Sequence, residues 1–277
     1  MIQKLFFFSV VTVGIIMMSL MMVPLEKTEV THAEDGERNY QILPSELTTD
    51  TWAVFDPETG VVLDGRNLGE IHPIASITKL FTGALVMKSV KKDEKFIILA
   101  NDTYAEGRSG KLIVGMDTTP HELLFPLLIE SSNDAGVAIE RFFGSEFDLL
   151  MTSLVGEIGL RDTLISEPTG LSPKNVSTIT DLALFYSRIK ESVPLILDIT
   201  KLNTYIDART GYVNNNPLQK NKRFIGGKQG YTDEAKYTFV GAFESSGARS
   251  DVGIAILKSS SLEHDVLAIL EAWDDVQ

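Results

Sequence analysis

The sequence predicts an α+β fold, in which an antiparallel sheet built from both ends of the chain adjoins an inserted helical lobe. Apolar, strand-like segments separated by turn residues occur at residues 51–63 and again at 223–257. Between them, residues 100–200 carry helix-capping residues followed by longer apolar runs, which are typical of helices. This distribution places the expected functional site in the seam between the sheet and the lobe.

The first two strands are predicted to form a hairpin. Thr51–Phe55 and Val61–Leu63 flank a turn that begins at Asp56. Pro57 presets φ for such a turn, and Gly60 can adopt the positive φ that closes it.

The start of the first predicted helix carries a serine and a lysine that could act together as a nucleophile and a base. Ser76 and Lys79 stand three residues apart, just before the apolar run Leu80–Met87, which predicts a buried helix. Residues at this spacing lie on one helical face, so the hydroxyl and the amine can touch. A serine nucleophile needs a neighbouring base, and Lys79 can serve if burial keeps its amine neutral. Two further Ser-x-x-Lys matches, at Ser89 and Ser187, fall at charged helix ends and are interpreted as solvated surface.

The middle of the chain is predicted to be mostly helical. A short strand at residues 96–100 and an irregular loop at 101–117 come first. The next helix has Thr119 as its predicted N-cap, a proline at its first position and the apolar run Leu123–Ile129. Three further helices are predicted at Ala135–Phe143, Phe147–Ile158 and, capped by Thr178, at Thr180–Lys190.

The last quarter of the chain returns to strand-like segments. Strands are predicted at Arg223–Lys228, Ala235–Phe243 and Asp251–Leu257, and turn residues separate them. A helix at Leu262–Trp273 follows the last strand. These strands are expected to complete the sheet that the first hairpin begins.

Composition and charge exclude several classes of function. The 277 residues include 25 Lys and Arg against 38 Asp and Glu, and they show no basic stripe, so nucleic-acid binding is not expected. The chain has no cysteine, which excludes a cysteine nucleophile and thiolate metal sites. Its four histidines form no close pair, so we expect neither a metal nor another cofactor.

The N-terminal segment predicts export. Residues 5–25 carry no charge and are almost wholly apolar, and Lys4 precedes them. This pattern indicates a signal peptide or an N-terminal membrane anchor within residues 1–33. Small residues at Thr31 and Ala33 favour cleavage slightly. Residues 34–48 are predicted to be a linker and residues 49–277 the folded domain, which contacts the membrane only through the N-terminal segment.

Two further groups of polar residues fall where the seam would bring them near Ser76. Ser131 and Asn133 lie in the turn between two predicted helices, where a hydroxyl can relay a proton and an amide can hold a substrate carbonyl. Either residue could instead be the N-cap of the next helix. Lys228 and Gly230 lie at the end of a predicted strand, where a lysine can fix a substrate carboxylate and a glycine admits a substrate backbone.

In this order, the three motifs Ser76-x-x-Lys79, Ser131-x-Asn133 and Lys228-x-Gly230 resemble the signature of penicillin-binding proteins and class A β-lactamases. The similarity is strongest to the D-alanyl-D-alanine carboxypeptidases among the low-molecular-mass penicillin-binding proteins. It extends from about residue 51 to residue 273, and further matching positions are Asp56, Thr59, Gly60, Pro73, Ala75, Thr78, Asp134, Ala135, Pro168 to Leu171, Thr178, Asp181 to Ala183 and Thr232 to Ala235. The resemblance implies a fold like that of the β-lactamases and transpeptidases.

The resemblance also implies catalytic roles. Ser76 would be the acylated nucleophile, Lys79 its general base, and Ser131 the residue that passes a proton to the leaving D-alanine. The backbone N–H groups of Ser76 and Tyr231 would form an oxyanion hole for the tetrahedral intermediate.

The same resemblance assigns the substrate-binding positions. Asn133 would hold the substrate amide, and Lys228 with Thr232 would receive the terminal carboxylate. Gly230 and Tyr231 would line the same edge of the site.

These assignments predict a serine-type D-Ala-D-Ala carboxypeptidase that cleaves peptidoglycan stem peptides through an acyl-enzyme and is inhibited by β-lactams. We expect it to act outside the cytoplasm of a bacterium, either secreted or anchored to the outer face of the cytoplasmic membrane. The sequence leaves open whether the substrate is a terminal D-alanine or a D,D cross-link, and whether water or a second peptide amine accepts the acyl group.

Two alternatives stay open at this point. The family usually has threonine where this chain has Gln229, which removes a hydroxyl that often binds the carboxylate. This departure favours a penicillin- or muropeptide-binding sensor that is acylated but barely turns over. A class A-like β-lactamase would need a glutamate that activates water; Glu167 falls in the right region, but Leu171 stands where those enzymes carry asparagine.

Overall fold

The computed structural model describes residues 46–107, 110–208, 210–245 and 250–275. In chain order, the strands in these ranges are β1 (Thr51–Phe55), β2 (Val62–Arg66), β3 (His72–Pro73), β4 (Phe96–Ile97), β5 (Asp117–Thr118), β6 (Val176–Ser177), β7 (Thr204–Ile206), β8 (Gly211–Val213), β9 (Phe224–Thr232), β10 (Lys236–Phe243) and β11 (Val252–Ser259). The helices are α1 (Thr78–Ser89), α2 (Pro120–Ile129), α3 (Asn133–Phe143), α4 (Phe147–Ile158), α5 (Ile179–Ser192), α6 (Leu195–Lys201) and α7 (Leu262–Asp275).

A five-stranded antiparallel sheet, with the strand order β2-β1-β11-β10-β9, organises the fold. The N-terminal hairpin β1–β2 joins the C-terminal strands through β1, which pairs Ala53 with Ala255 of β11. The predicted sheet from both ends of the chain is therefore confirmed. Strand β9 lies at one edge, so one side of its backbone is not used by the sheet and can face the helical lobe.

Both faces of the sheet are covered, which explains why β1 is buried along its whole length. Successive side chains of a strand point to opposite faces. Ala53 and Phe55 accordingly join the core beneath the helical lobe, whereas Trp52 and Val54 pack with α7 on the other face. The sheet is thus a fixed wall against which the lobe is packed.

The helical lobe is built around α1, whose residues Leu80 and Phe81 are fully buried. Phe81 stacks on Phe185 of α5, with 3.7 Å between the ring centroids. The predicted N-caps are present: Thr119 accepts the Glu122 N–H at the start of α2, and Thr178 caps α5. Since α1 is held on all sides, the residues at its first turn are held as well.

Three local predictions differ from the structure. Strand β9 continues through Thr232, so the third motif lies inside a strand, not at its end. The segment predicted as a strand at residues 96–100 is a two-residue strand followed by a 3-10 turn, Ala100–Thr103. Helix α6 and the hairpin β7–β8 were not predicted, because these segments are short and lack a clear period.

The proposed signal or anchor at residues 1–33, and the linker at 34–48 up to residue 45, lie outside the described residues. In the part of the chain that is described, no helix is both long and apolar enough to cross a bilayer. The boundaries of the predicted domain therefore stay a prediction.

Candidate active site

Ser76 lies in a short 3-10 turn, Ala75–Ile77, that leads directly into α1. Ala75 adopts a left-handed conformation with φ +46°, which turns the chain sharply before the serine. The hydroxyl of Thr238 on β10 donates to the carbonyl of Ile74 at 2.9 Å and ties this turn to the sheet. The candidate nucleophile is therefore fixed between the sheet and the buried helix.

Lys79 lies one helical turn further, and its side chain is fully buried. Its Nζ is 3.0 Å from the Oγ of Ser76 and donates to the carbonyl of Thr169 at 2.5 Å. The contact that the three-residue spacing predicted is present. At this distance the amine can take the proton of the serine hydroxyl directly.

The carbonyl that orients Lys79 belongs to a loop folded around Glu167. One Glu167 oxygen accepts from the backbone N–H and the hydroxyl of Thr169, and the other accepts from the Gly170 N–H and the Asn175 amide. The carboxylate is thus engaged by its own loop, where it shapes the turn that holds Lys79. This arrangement weighs against Glu167 as the water-activating base of a class A-like β-lactamase.

Two features of the structure require glycine at position 170, the backbone conformation and the close packing. Its φ is +86°, and a Cβ at this position would lie 1.9 Å from the carbonyl oxygen of Ala75. Only glycine lets the Glu167 loop approach the nucleophile turn this closely.

Ser131 lies in the turn between α2 and α3 and has a left-handed backbone, with φ +61°. Capping of α3 falls to Ser132, whose hydroxyl accepts the Ala135 N–H at 3.0 Å. Ser131 is therefore not the cap of this helix, and neither is Asn133, which is its first residue. The amide nitrogen of Asn133 donates to the carbonyl of Glu106 at 2.6 Å, which sets the orientation of the amide.

The edge strand β9 supplies a further part of the site. Lys228 is buried, with 2 % of its surface exposed, and its Nζ donates to the carbonyl of Gln229 at 3.0 Å. A Cβ on Gly230 would lie 2.5 Å from the backbone nitrogen of Ser76, so the strand passes directly beside the nucleophile. Tyr231 is half exposed, and the hydrogen bond that its hydroxyl donates to Asp233 raises the pKa of the phenol.

These elements enclose a cleft of about 460 Å³. Seven of the eight predicted site residues line it, namely Ser76, Ser131, Asn133, Lys228, Gly230, Tyr231 and Thr232, and Lys79 lies beneath Ser76. The structure therefore brings all of them together. Sequence reasoning did not place Gly107, Asn215, Pro217 and Tyr237 in the site, although they also line it.

The cleft thus combines a buried lysine beside a serine, a second serine in a left-handed turn and a buried lysine on an edge strand. Residues 38–258 match the model of the peptidase S11 family, described as D-alanyl-D-alanine carboxypeptidase. The chain belongs to this family. It is a serine-type D-alanyl-D-alanine carboxypeptidase with the fold of the penicillin-binding proteins. The function and enzyme class predicted from the sequence are therefore confirmed.

Curated relatives carry two related names. The D-alanyl-D-alanine carboxypeptidase DacB2 of Mycobacterium tuberculosis is 30% identical over 209 residues, which cover 72% of each chain. A D-alanyl-D-alanine endopeptidase of Pseudomonas aeruginosa is also 30% identical, over 78% of this chain and 73% of its own. The chain is thus similar both to enzymes named for removal of a terminal D-alanine and to enzymes named for cleavage within a peptide.

Solved structures confirm the β-lactamase/transpeptidase-like fold. A D-alanyl-D-alanine carboxypeptidase of Mycobacterium tuberculosis has a TM-score of 0.76 at 27% identity and covers 84% of this chain and 92% of its own. Penicillin-binding protein D2 of Listeria monocytogenes, in its cefotaxime-bound form, has a TM-score of 0.72 at 25% identity, over 82% of this chain and 97% of its own.

Proposed function

We propose that this carboxypeptidase removes the terminal D-alanine of peptidoglycan stem peptides through an acyl-enzyme on Ser76. The observation that carries the proposal is the 3.0 Å contact between Lys79 Nζ and Ser76 Oγ at the base of a cleft. Ser131 and Lys228 line the same cleft, which supports roles for both in the reaction.

Acylation begins when the Oγ of Ser76 attacks the carbonyl carbon between the two D-alanines. Lys79, as the neutral amine, takes the hydroxyl proton as the new C–O bond forms. The Thr169 carbonyl holds the lysine by accepting from Nζ, so the amine keeps its direction towards the serine. This positioned pair replaces the histidine base of other serine hydrolases.

The negative charge on the carbonyl oxygen needs hydrogen-bond donors that are already in place. The backbone N–H groups of Ser76 and Tyr231 are proposed for this role. The support is the close approach of β9 to the serine turn, which is so tight that a side chain at position 230 would clash with Ser76. Losing one such donor costs about 100- to 1,000-fold in rate.

The nitrogen of the leaving D-alanine takes the hydroxyl proton of Ser131 as the C–N bond breaks. Lys79 passes the proton that it took from Ser76 on to Ser131, which leaves both side chains neutral. The carboxylate of the leaving D-alanine is received by Lys228 and Thr232, because a buried cation is the natural partner of an anion in a partly desolvated cleft. Asn133 holds the substrate amide with the oxygen of its side chain, since its nitrogen already donates to Glu106. A water molecule then attacks the ester carbonyl and gives a proton to the neutral Lys79. Lys79 passes this proton to the Oγ of Ser76 as the acyl C–O bond breaks, and the shortened stem peptide leaves as the carboxylic acid.

A β-lactam enters the same scheme: Ser76 attacks its strained amide, the ring C–N bond breaks, and the nitrogen stays tethered to the acyl group through the other atoms of the opened ring. The Listeria protein of similar fold has been solved in cefotaxime- and ampicillin-bound forms. Peptidoglycan as substrate places the enzyme outside the cytoplasm. Attachment to the membrane through residues 5–25 is part of the same proposal and rests on their apolar sequence.

The test is release of D-alanine from an N-acylated tripeptide that ends in D-Ala-D-Ala, with the full-length enzyme. Ser76→Ala is expected to lose at least about 1,000-fold in kcat. Ser89→Ala is the matched control, since this exposed serine belongs to another Ser-x-x-Lys match and its activity should equal wild type. Equal activity of Ser76→Ala and wild type would refute the proposal.

A further inference from the structure

We propose that Gln229 is a positioning residue, which ties the third-motif strand to the turn of Ser131 through Asn215. This inference rests on the proposed function, because it concerns the residue that protonates the leaving group. It gives the unusual glutamine of the third motif a role other than binding the substrate carboxylate.

The first link joins strand β9 to the segment of Asn215. The side-chain amide nitrogen of Gln229 donates to the backbone carbonyl of Asn215 at 3.0 Å. Gln229 lies on edge strand β9, whereas Asn215 belongs to the segment that follows β8. Both residues line the cleft, so this hydrogen bond joins two segments of its wall.

The second link reaches the serine turn. The amide nitrogen of Asn215 donates to the carbonyl of Glu130 at 2.6 Å, and its backbone N–H donates to the carbonyl of Ile129 at 3.3 Å. Glu130 directly precedes Ser131, whose φ of +61° is a conformation that a serine holds only when its surroundings impose it. Asn215 therefore fixes the two peptide groups that lead into this strained turn.

The segment that carries Asn215 is itself anchored. Lys111 and the Val213 N–H both contact one carboxylate oxygen of Glu130, at 2.6 and 3.1 Å. The neighbouring Asn214 donates its amide to the carbonyls of Thr200 and Leu202 at 2.9 and 2.8 Å. Because this segment is anchored on both sides, a displacement of β9 moves the Ser131 turn as well. A flexible segment would change its own conformation instead.

The length of the glutamine side chain matters for this role. A threonine hydroxyl is attached to Cβ and ends two bonds short of the glutamine amide nitrogen, so it does not reach Asn215. With glutamine at this position, the chain exchanges a hydroxyl for a hydrogen bond to Asn215. Lys228 and Thr232 are then left to receive the substrate carboxylate.

The experiment measures acylation of the full-length enzyme by benzylpenicillin in single-turnover stopped flow, which separates the limiting acylation rate constant from the half-saturating concentration. Gln229→Met keeps the length of the side chain and removes the donor. It is expected to lower the limiting rate constant by about three- to tenfold, the effect of one neutral hydrogen bond, without changing the half-saturating concentration. Gln219→Met, in the 3-10 turn Pro217–Lys220, is the matched control and should behave as wild type.

A double-mutant cycle with Ser131→Ala separates positioning from binding. If Gln229 acts through Ser131, Gln229→Met has no further effect when the serine hydroxyl is absent. A rate constant unchanged in Gln229→Met, or an equal loss in both backgrounds, would overturn the inference. A raised half-saturating concentration alone would also overturn it, because Gln229 would then bind the drug carboxylate directly.

A second variant keeps the test decisive if Gln229→Met does not fold. Gln229→Thr restores the usual motif residue, and we expect it to lower the limiting rate constant as well, because its hydroxyl does not reach Asn215. An unchanged or higher rate constant in Gln229→Thr would contradict the inference. Failure of the wild type to be acylated is a different result, which would remove the proposed function and the inference together.

Discussion

Gly230→Ala tests whether the edge strand and the nucleophile form one catalytic unit. A Cβ at position 230 would lie 2.5 Å from the backbone nitrogen of Ser76, 2.8 Å from the Cβ of Ala75 and 2.9 Å from the hydroxyl of Thr238. Two of these three neighbours belong to the serine turn itself. The added methyl group therefore pushes β9 and the nucleophile apart.

The size of this displacement follows from the contact distances. Ordinary van der Waals contact begins at 3.4 Å, so the strand and the serine turn have to separate by about 0.9 Å near the Ser76 nitrogen. A misplacement of about 1 Å in an active site can lower the rate by about 100-fold. We expect a loss of this order in acylation, because the two proposed oxyanion donors, Ser76 N–H and Tyr231 N–H, lie on the two separated segments.

The assay is stopped-flow acylation by benzylpenicillin, with thermal unfolding measured in parallel. Gly156→Ala is the matched control: it lies in α4 with no atom within 4 Å of the added methyl group. This control should acylate at the wild-type rate and gain about 0.5–1 kcal/mol of stability, because alanine favours the helix over glycine. Acylation of Gly230→Ala at the wild-type rate would refute the reasoning.

Three further predictions concern the surroundings of the site. Arg141 donates to both oxygens of Asp102, which is fully buried, so Arg141→Leu should cost about 3 kcal/mol in urea unfolding. Burial raises the pKa of Asp134 above its ordinary 3.8, so ionisation of this carboxyl destabilises the fold as pH rises above that value. The melting temperature of Asp134→Asn should therefore rise relative to wild type across this range. Asn175→Ala removes amide hydrogen bonds to Glu167, and acylation should slow about tenfold as the loop beside the catalytic lysine loosens.

Each of these predictions has a clear contrary result. Arg141→Leu with wild-type stability would mean that Asp102 does not carry an uncompensated charge in the variant. Parallel melting curves of wild type and Asp134→Asn between pH 4 and 7 would contradict a raised pKa at Asp134. Fast acylation by Asn175→Ala would show that the lysine keeps its direction without the Glu167 loop.

The contact between Ser76 and Lys79 could be predicted because the two residues are close in sequence. Ser76 and Lys79 are one helical turn apart, so a helix after Ser76 was enough to place the amine at the hydroxyl. The helix caps at Thr119 and Thr178 were predictable for the same reason, since a cap bonds to a backbone N–H three residues away. Similarity of the motif order then linked this pair to the other two motifs.

The parts that were not predicted depend on contacts distant in sequence. Gly230 was predicted at the end of a strand, but it lies inside β9, and a side chain there would clash with the backbone of Ser76. Asn215 had no local signal, because its partners Glu130 and Gln229 lie in other elements. The hydrogen bonds of Glu167 could not be predicted either, because they depend on how the loop that contains Gly170 and Asn175 folds around the carboxylate.

The most direct test of the central claim is the intact mass of the enzyme after incubation with benzylpenicillin, for wild type and Ser76→Ala. The proposed acyl-enzyme predicts one penicilloyl group on the wild type, on the peptide that contains Ser76, and none on the variant. An adduct on Ser76→Ala would show that another residue is the nucleophile. Rapid loss of the drug without an adduct would contradict a slow acyl-enzyme and favour a β-lactamase.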